Sequence, residues 1–420
     1  MRFRRSPSAP DQTTLLDANI RHLLWDIAWF GVLVGTAVNY MQVYVVRLGG
    51  SSLAVSALTY GPALVSIAWQ LPAARMMSRA GHRRRWMIGG GLLYRLPYLL
   101  VALIPFFFPA ASVQLTVLVL VLQAFALALS NVSFLSMLAD VVPANRMTQV
   151  VGWRMACYGL TTTVCTLLAG PVLQRLSFPL NFQTLFIIGF VASLCSTWHV
   201  TRIKVADRAP VAVGSEHLRS QTRRILRYPH FARFVLDVGI LQLTIGMLTP
   251  LLPLFWVEQL GATNGQISII VTVFSATMVF GSLLMRRTVR RIGRELALAA
   301  GVLGYACYPL LASLSSSVWW MIPCAALGGF FNAAITVTLF DNLVSTTPDA
   351  DRSSYIAVYN VFVNVALFVG PLTAALLAAG PGGPRLGLRV AGAIGLLAGV
   401  LFYSRFRHAQ AEQRTRIEPA

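Results

Sequence analysis

Asp26 and Asp237 stand just inside the starts of two long apolar stretches, and few residues in this chain are better placed for chemistry. A carboxylate in apolar surroundings can take up and release a proton, so either is a candidate carrier of a coupling proton. Asp140 and Asp341 close two other apolar stretches, and Arg146, Arg154 and Arg352 share their layer. Arg79 and Arg291 occupy matching positions in two basic turns. Opposite charges in such a layer can pair and separate as a gate, with Arg154 the expected partner of Asp26. The alternative is ordinary interfacial pairing, worth under about 1 kcal/mol. Arg95 lies about two turns inside an apolar stretch, where snorkelling or pairing with a nearby Asp is expected rather than substrate contact.

A second group is polar but uncharged: Asn39, Tyr40, Gln42, Gln123, Ser130, Asn131, Gln242, Thr244, Asn332, Thr336, Tyr355, Tyr359, Asn360 and Asn364. Gln123 and Ser130 share a helix face, and Tyr355/Tyr359 and Asn360/Asn364 are each one turn apart. A polar group in apolar surroundings is costly unless it is bonded, so each is either a solute ligand or glue between helices. As ligands they suit a neutral or amphipathic small molecule. Gly31/Gly35 and Gly395/Gly399 have the spacing of close helix packing.

Other chemistries lack their residues. The only lysine, Lys204, is in Arg-Ile-Lys-Val-Ala-Asp and not in a phosphate-binding Gly-Lys-Ser/Thr loop. No two histidines lie within five residues of each other, and no Gly-x-Ser-x-Gly elbow occurs. The reading is therefore not an enzyme, with no metal and no cofactor. Cys157, Cys165, Cys195, Cys307 and Cys324 all fall in apolar stretches, where free thiols are small hydrophobes. No cleaved signal peptide is read at the N-terminus.

The elements that hold these residues follow from composition. Of 420 residues, 56% are hydrophobic and 11% charged, with a mean hydropathy of +0.67. A soluble chain carries about 25% charged residues, so this one has too few to cover its outside. Twelve stretches are long enough to cross a bilayer as helices: 23–46, 53–73, 87–108, 113–141, 148–173, 183–200, 234–257, 266–286, 296–314, 317–340, 353–378 and 387–404. With loops assigned alternately to two sides, 29 of the 34 basic residues fall on one side and four on the other. The positive-inside rule then puts both termini in the cytoplasm. The net charge of +20 is a topology signal and not a nucleic-acid footprint.

The twelve spans repeat as six plus six. Leu48-Gly49-Gly50-Ser51 matches Leu260-Gly261-Ala262-Thr263, Gly81 matches Gly293 and Pro97 matches Pro309, all offset by 212. After one insertion of about eleven residues, Asn131 and Asp140 match Asn332 and Asp341, and Gly170-Pro171 matches Gly370-Pro371. The expectation is an all-α membrane protein of two pseudo-symmetric six-helix bundles, residues 1–200 and 234–420, the second ending in a short tail. Residues 201–233 form a cytoplasmic linker, whose basic stretch from His217 to Arg233 reads as an amphipathic segment resting on anionic headgroups, with a regulatory docking site as the alternative.

With twelve spans and a central loop between six-span halves, the chain resembles the major facilitator superfamily. Ala74, Ser78-Arg79, Gly81 and His82-Arg83 resemble its loop between helices 2 and 3, without the usual Asp. Asp140-x-x-Pro143-x-x-Arg146 resembles its loop between helices 4 and 5, with a looser copy at Asp341, Pro348 and Arg352. The resemblance implies that spans 1, 2, 4, 5, 7, 8, 10 and 11 line a central cavity, with spans 3, 6, 9 and 12 outside it. It implies a secondary transporter working by alternating access in the cell membrane, most simply as a monomer. Export of a small molecule, with a proton as candidate coupling ion, is the leading reading. Uptake of a solute, or a receptor or scaffold on the same fold, is the alternative.

Overall fold

A computed structural model describes residues 9–79, 83–204, 223–347 and 352–417. Within these, the side chains of Arg79, Asn131, Asp140 and Arg352 are not among those described, nor are residues 205–222 of the linker.

Among the described residues, twelve helices are long and apolar enough to cross a membrane, as the sequence leads one to expect. In order they are Leu15–Arg47, Ser52–Trp69, Ile88–Phe107, Pro109–Ser130, Gln149–Arg175, Leu180–Arg202, Pro229–Gln259, Asn264–Ile292, Arg294–Ser313, Val318–Leu343, Val358–Ala379 and Gly383–Arg407, called spans 1 to 12 below. Helices suit this setting because each backbone group is satisfied within its own segment. Large apolar side chains such as Leu160, Leu168, Phe280, Leu283 and Leu376 stand exposed, a surface that suits lipid and not water.

Span 1 begins earlier than hydropathy indicates. Its polar first turns are held by tertiary bonds: Asn19 Nδ2 donates to the Lys204 carbonyl, and Asn19 Oδ1 accepts from the Lys204 amide. Further on, the span is broken by a tight turn, Val38–Tyr40, before its last helical piece, Met41–Arg47. Where the linker is described, its apolar face packs on protein. Ile225 and Phe231 are buried in protein, Phe231 edge-on against Tyr355, so neither rests on headgroups.

The repeat is visible in backbone geometry. Gly49 and Gly261 both take positive φ, 81° and 59°, in the matched turns that end spans 1 and 7. A side chain is strained there, which explains why both copies keep glycine. Pro97 and Pro309, and Pro171 and Pro371, sit inside the matched helices. Span 1 packs on spans 5 and 6, and span 7 packs on spans 11 and 12. Glycine permits close backbone approach in these contacts: a Cβ on Gly35 would lie 2.7 Å from the Thr162 carbonyl, and one on Gly370 would lie 2.6 Å from that of Leu243.

Two compact units emerge. One comprises residues 1–40, 68–110 and 122–213, and the other 41–67, 111–121 and 214–420. The second unit therefore contains the later part of span 1, most of span 2 and the start of span 4 together with spans 7 to 12. The Arg-poor ends of these first-half spans thus fold onto the second half.

Candidate functional site

Span 1 places Asp26 on the face that packs against spans 5 and 6, where only 5% of the residue is exposed. A lone carboxylate would be costly there, and the chain supplies partners from three other spans. Arg154 of span 5 donates from Nη1 and Nη2 to Asp26 Oδ2, both at 3.3 Å. Ser196 of span 6 donates to Asp26 Oδ1 at 2.7 Å. Arg95 of span 3 donates from Nη2 to Ser196 Oγ at 2.8 Å and from Nη1 to the Gly91 carbonyl at 3.0 Å. Arg154 also donates to the Leu23 carbonyl and stacks over the Phe134 ring. Two arginines and one carboxylate thus form a buried, hydrogen-bonded array joining four spans of the first half.

Arg95 does not snorkel: it is 7% exposed and reaches Asp26 through one hydroxyl. The expected partnership of Asp26 with Arg154 is present, but both residues lie in the first half, so the pair does not itself bridge the halves. Asp237 forms the counterpart in the second half. It is equally buried, and Arg405 of span 12 donates to its Oδ2 at 3.1 Å. Arg405 is 29% exposed and lies over the Phe234 ring. In each half, then, the first span's carboxylate is tied to the last span.

The remaining charged candidates are more exposed. Arg146 pairs with Asp17 at 3.3 Å with both side chains half or more exposed, a geometry worth little. Asp341 and Arg291 are exposed. Arg79, Asp140 and Arg352 fall outside the described side chains, as does Asn131.

The uncharged candidates divide by what they already bond. Asn39 donates to Thr166 Oγ1 at 3.0 Å and Tyr40 to the Thr166 carbonyl at 2.8 Å, fixing the bend of span 1 on span 5. Tyr40 has no exposed surface, so it offers a solute nothing. Gln123 is also buried and donates to the Tyr94 carbonyl at 2.6 Å, joining span 4 to span 3. All three bond to a neighbouring span, and Asn39 stays half-buried. Gln42 donates to Thr59 Oγ1 at 3.1 Å and stays half-buried. Asn332 accepts from Thr336, and Asn364 donates to the Asn360 carbonyl one turn away. Gln242, Asn332, Tyr359, Asn360 and Asn364 are all half-buried, leaving polar surface for a solute.

The fold also brings together residues that no sequence pattern singles out. His22 and His199 face each other with Nδ1 atoms 3.0 Å apart, one turn from Asp26 and from Ser196 respectively, and Trp25 stacks on His199. They are 177 residues apart in sequence, so no local spacing reveals them. At the Arg-poor end, Arg47 donates to the Ala262 carbonyl, Ser52 donates to the Ala375 carbonyl at 3.1 Å, and Tyr60 meets Phe368 edge-on at 6.0 Å. Each of these contacts joins span 1 or 2 to the second half. In the sequence, Arg47 is visible only as a charge on the sparse side.

Comparison with known proteins agrees with this architecture. The sequence model described as Major Facilitator Superfamily matches residues 27–241 and 236–419. A search of curated proteins returns no match. Among solved structures, the chain is similar to a point mutant of the nucleoside transporter NupG, with a TM-score of 0.75 at 9% identity, covering 92% of this chain and 100% of that one. It is similar to a bacterial homolog of the human lysosomal transporter Spinster, inward-facing and occupied, with a TM-score of 0.71 at 14% identity, covering 96% and 98%. A D-xylose-proton symporter superposes with a TM-score of 0.68 at 16% identity, covering 94% and 98%.

Proposed function

This chain belongs to the major facilitator superfamily, and we propose that, as a secondary transporter of that family, it exports a neutral or amphipathic small molecule by alternating access. It is a multi-pass membrane protein and a transporter rather than an enzyme. The finer reading places it in the cell membrane as a monomer with both termini cytoplasmic, in keeping with 29 basic residues on one side against four on the other.

The observation that carries alternating access is the set of contacts at the Arg-poor end. Arg47 with Ala262, Ser52 with Ala375, and Tyr60 with Phe368 tie the two sequence halves together there. Hydrogen bonds contribute about 0.5–3 kcal/mol each and an aromatic pair about 0.5–1.5 kcal/mol. Such a latch is strong enough to hold one end shut and weak enough to be released in each cycle. The half-buried amides and phenol of spans 7, 10 and 11 supply hydrogen bonds without charge, which favours a neutral or amphipathic solute.

Export is tested by accumulation. Cells expressing the protein should retain less of at least one compound in a panel of neutral amphipathic toxicants and nutrients than cells lacking it. Greater retention of a nutrient, with no toxicant affected, would make uptake the function. The latch is tested with Tyr60→Cys/Phe368→Cys bridged by a short, reducible bifunctional thiol reagent. Bridging should stop transport and reduction should restore it, while neither single variant responds. Transport at the unbridged rate through the bridged protein would rule out opening at that end. The same single cysteines should react with an impermeant reagent only from outside the cell.

A further inference from the structure

The second half contains a cavity of about 420 Å³ at its Arg-rich end. It is bounded by the starts of spans 7 and 9 and the ends of spans 10 and 12. Three guanidinium groups line it, Arg233, Arg294 and Arg405, beside His230 and the Asn342 amide. Arg405 is partly engaged, by Asp237 and by the His230 carbonyl at 3.3 Å. Arg233 and Arg294 are exposed, and among the described residues neither guanidinium makes a hydrogen bond, while Arg233 lies within electrostatic reach of Asp237. Glu295 is the carboxylate of the described lining, so the wall is basic overall.

We propose that this cavity binds the phosphate headgroup of an anionic phospholipid. Charge and geometry fit, because the planar guanidinium fork matches phosphate oxygens and unpaired arginines gain most from such a ligand. Level fits too: the cavity lies where odd spans begin and even spans end, the depth at which headgroups meet helix ends. Basic pockets between transmembrane helices take lipid headgroups in just this way. Span 12 adds the feature that selects a lipid over a soluble anion. Leu397, Val400 and Tyr403, three residues apart, form an exposed apolar stripe along the helix that supplies Phe402, Arg405 and Phe406 to the cavity wall. Acyl chains would lie along that stripe while the headgroup turns inward, whereas free phosphate has no use for it.

The test is native mass spectrometry of the full chain in detergent, supplied with phosphatidylglycerol or phosphatidylcholine. Wild-type protein should retain phosphatidylglycerol at collision energies that remove phosphatidylcholine. Arg233→Gln/Arg294→Gln should lower the retained fraction about tenfold, the loss expected for a charged hydrogen bond. Arg290→Gln/Arg291→Gln, which removes the same charge elsewhere on that end, should retain it. Thermal unfolding in lipid-free detergent establishes that each variant is folded. If the double pocket variant is not, the exposed Arg233→Gln alone takes its place, with a smaller loss expected. Equal retention by pocket and control variants, in either direction, overturns the proposal. So does displacement of the lipid by an equal concentration of inorganic phosphate.

Discussion

Arg154→Met should destabilise the protein by about 3–5 kcal/mol, the cost of leaving a buried charge without its partner. Asp26 is held by two Arg154 N–H groups and by Ser196, with both side chains of the pair under a tenth exposed. Removing the guanidinium also frees the Leu23 carbonyl that Arg154 caps. Asp26→Leu/Arg154→Met removes the pair and leaves Arg95 as the one buried charge of the array, still bonded to Ser196 and to the Gly91 carbonyl, so that variant should recover at least about 1–2 kcal/mol of the loss. Unfolding in detergent, followed by loss of helical signal, would read both. A double variant as unstable as Arg154→Met would mean that the pair's worth lies in packing or in the Leu23 contact and not in the charge.

Asp237→Asn should abolish gradient-driven transport, with accumulation falling on the order of tenfold, while substrate exchange continues. Coupling needs a carboxylate that a proton can reach. Both aspartates are equally buried, but their partners differ. Arg154 is as buried as Asp26, whereas Arg405 is 29% exposed and lines a cavity at the Arg-rich end. Asp237 therefore has a route to solvent through its partner, and Asp26 is sealed into its array. Asp26→Asn should slow exchange and driven transport together, because it disturbs the packing of spans 1, 3, 5 and 6. Proteoliposomes with an imposed pH gradient, loaded with the compound that the accumulation panel identifies, separate the two. Uphill transport by Asp237→Asn at the wild-type rate would remove a proton carried on that residue.

The twelve spans, the repeat and the absence of enzymatic motifs were legible in the sequence because each rests on local or periodic properties. A bilayer selects for runs of about 20 apolar residues, and duplicated turns keep their glycines for conformational reasons, as Gly49 and Gly261 do. The same logic located the polar and charged residues of the spans, since any such group in apolar surroundings stands out. Asp26 with Arg154 was within reach because both stand near one end of neighbouring first-half spans.

Which partners each polar residue bonds is visible only in the tertiary structure. Asn39, Tyr40 and Gln123 carry the same sequence signal as Gln242 and Asn360, yet the first three spend their bonds on Thr166 and Tyr94, and Tyr40 is wholly buried. Helix rotation decides this, and a polar group inside a span reads the same whichever way it faces. The Arg95–Ser196–Asp26 array, the His22–His199 contact and the contacts of Arg47, Ser52 and Tyr60 join residues more than 100 positions apart or from opposite halves. Composition and periodicity fix which segments cross the bilayer. Which faces meet depends on the summed packing of all the helices, a property that no single stretch of sequence contains.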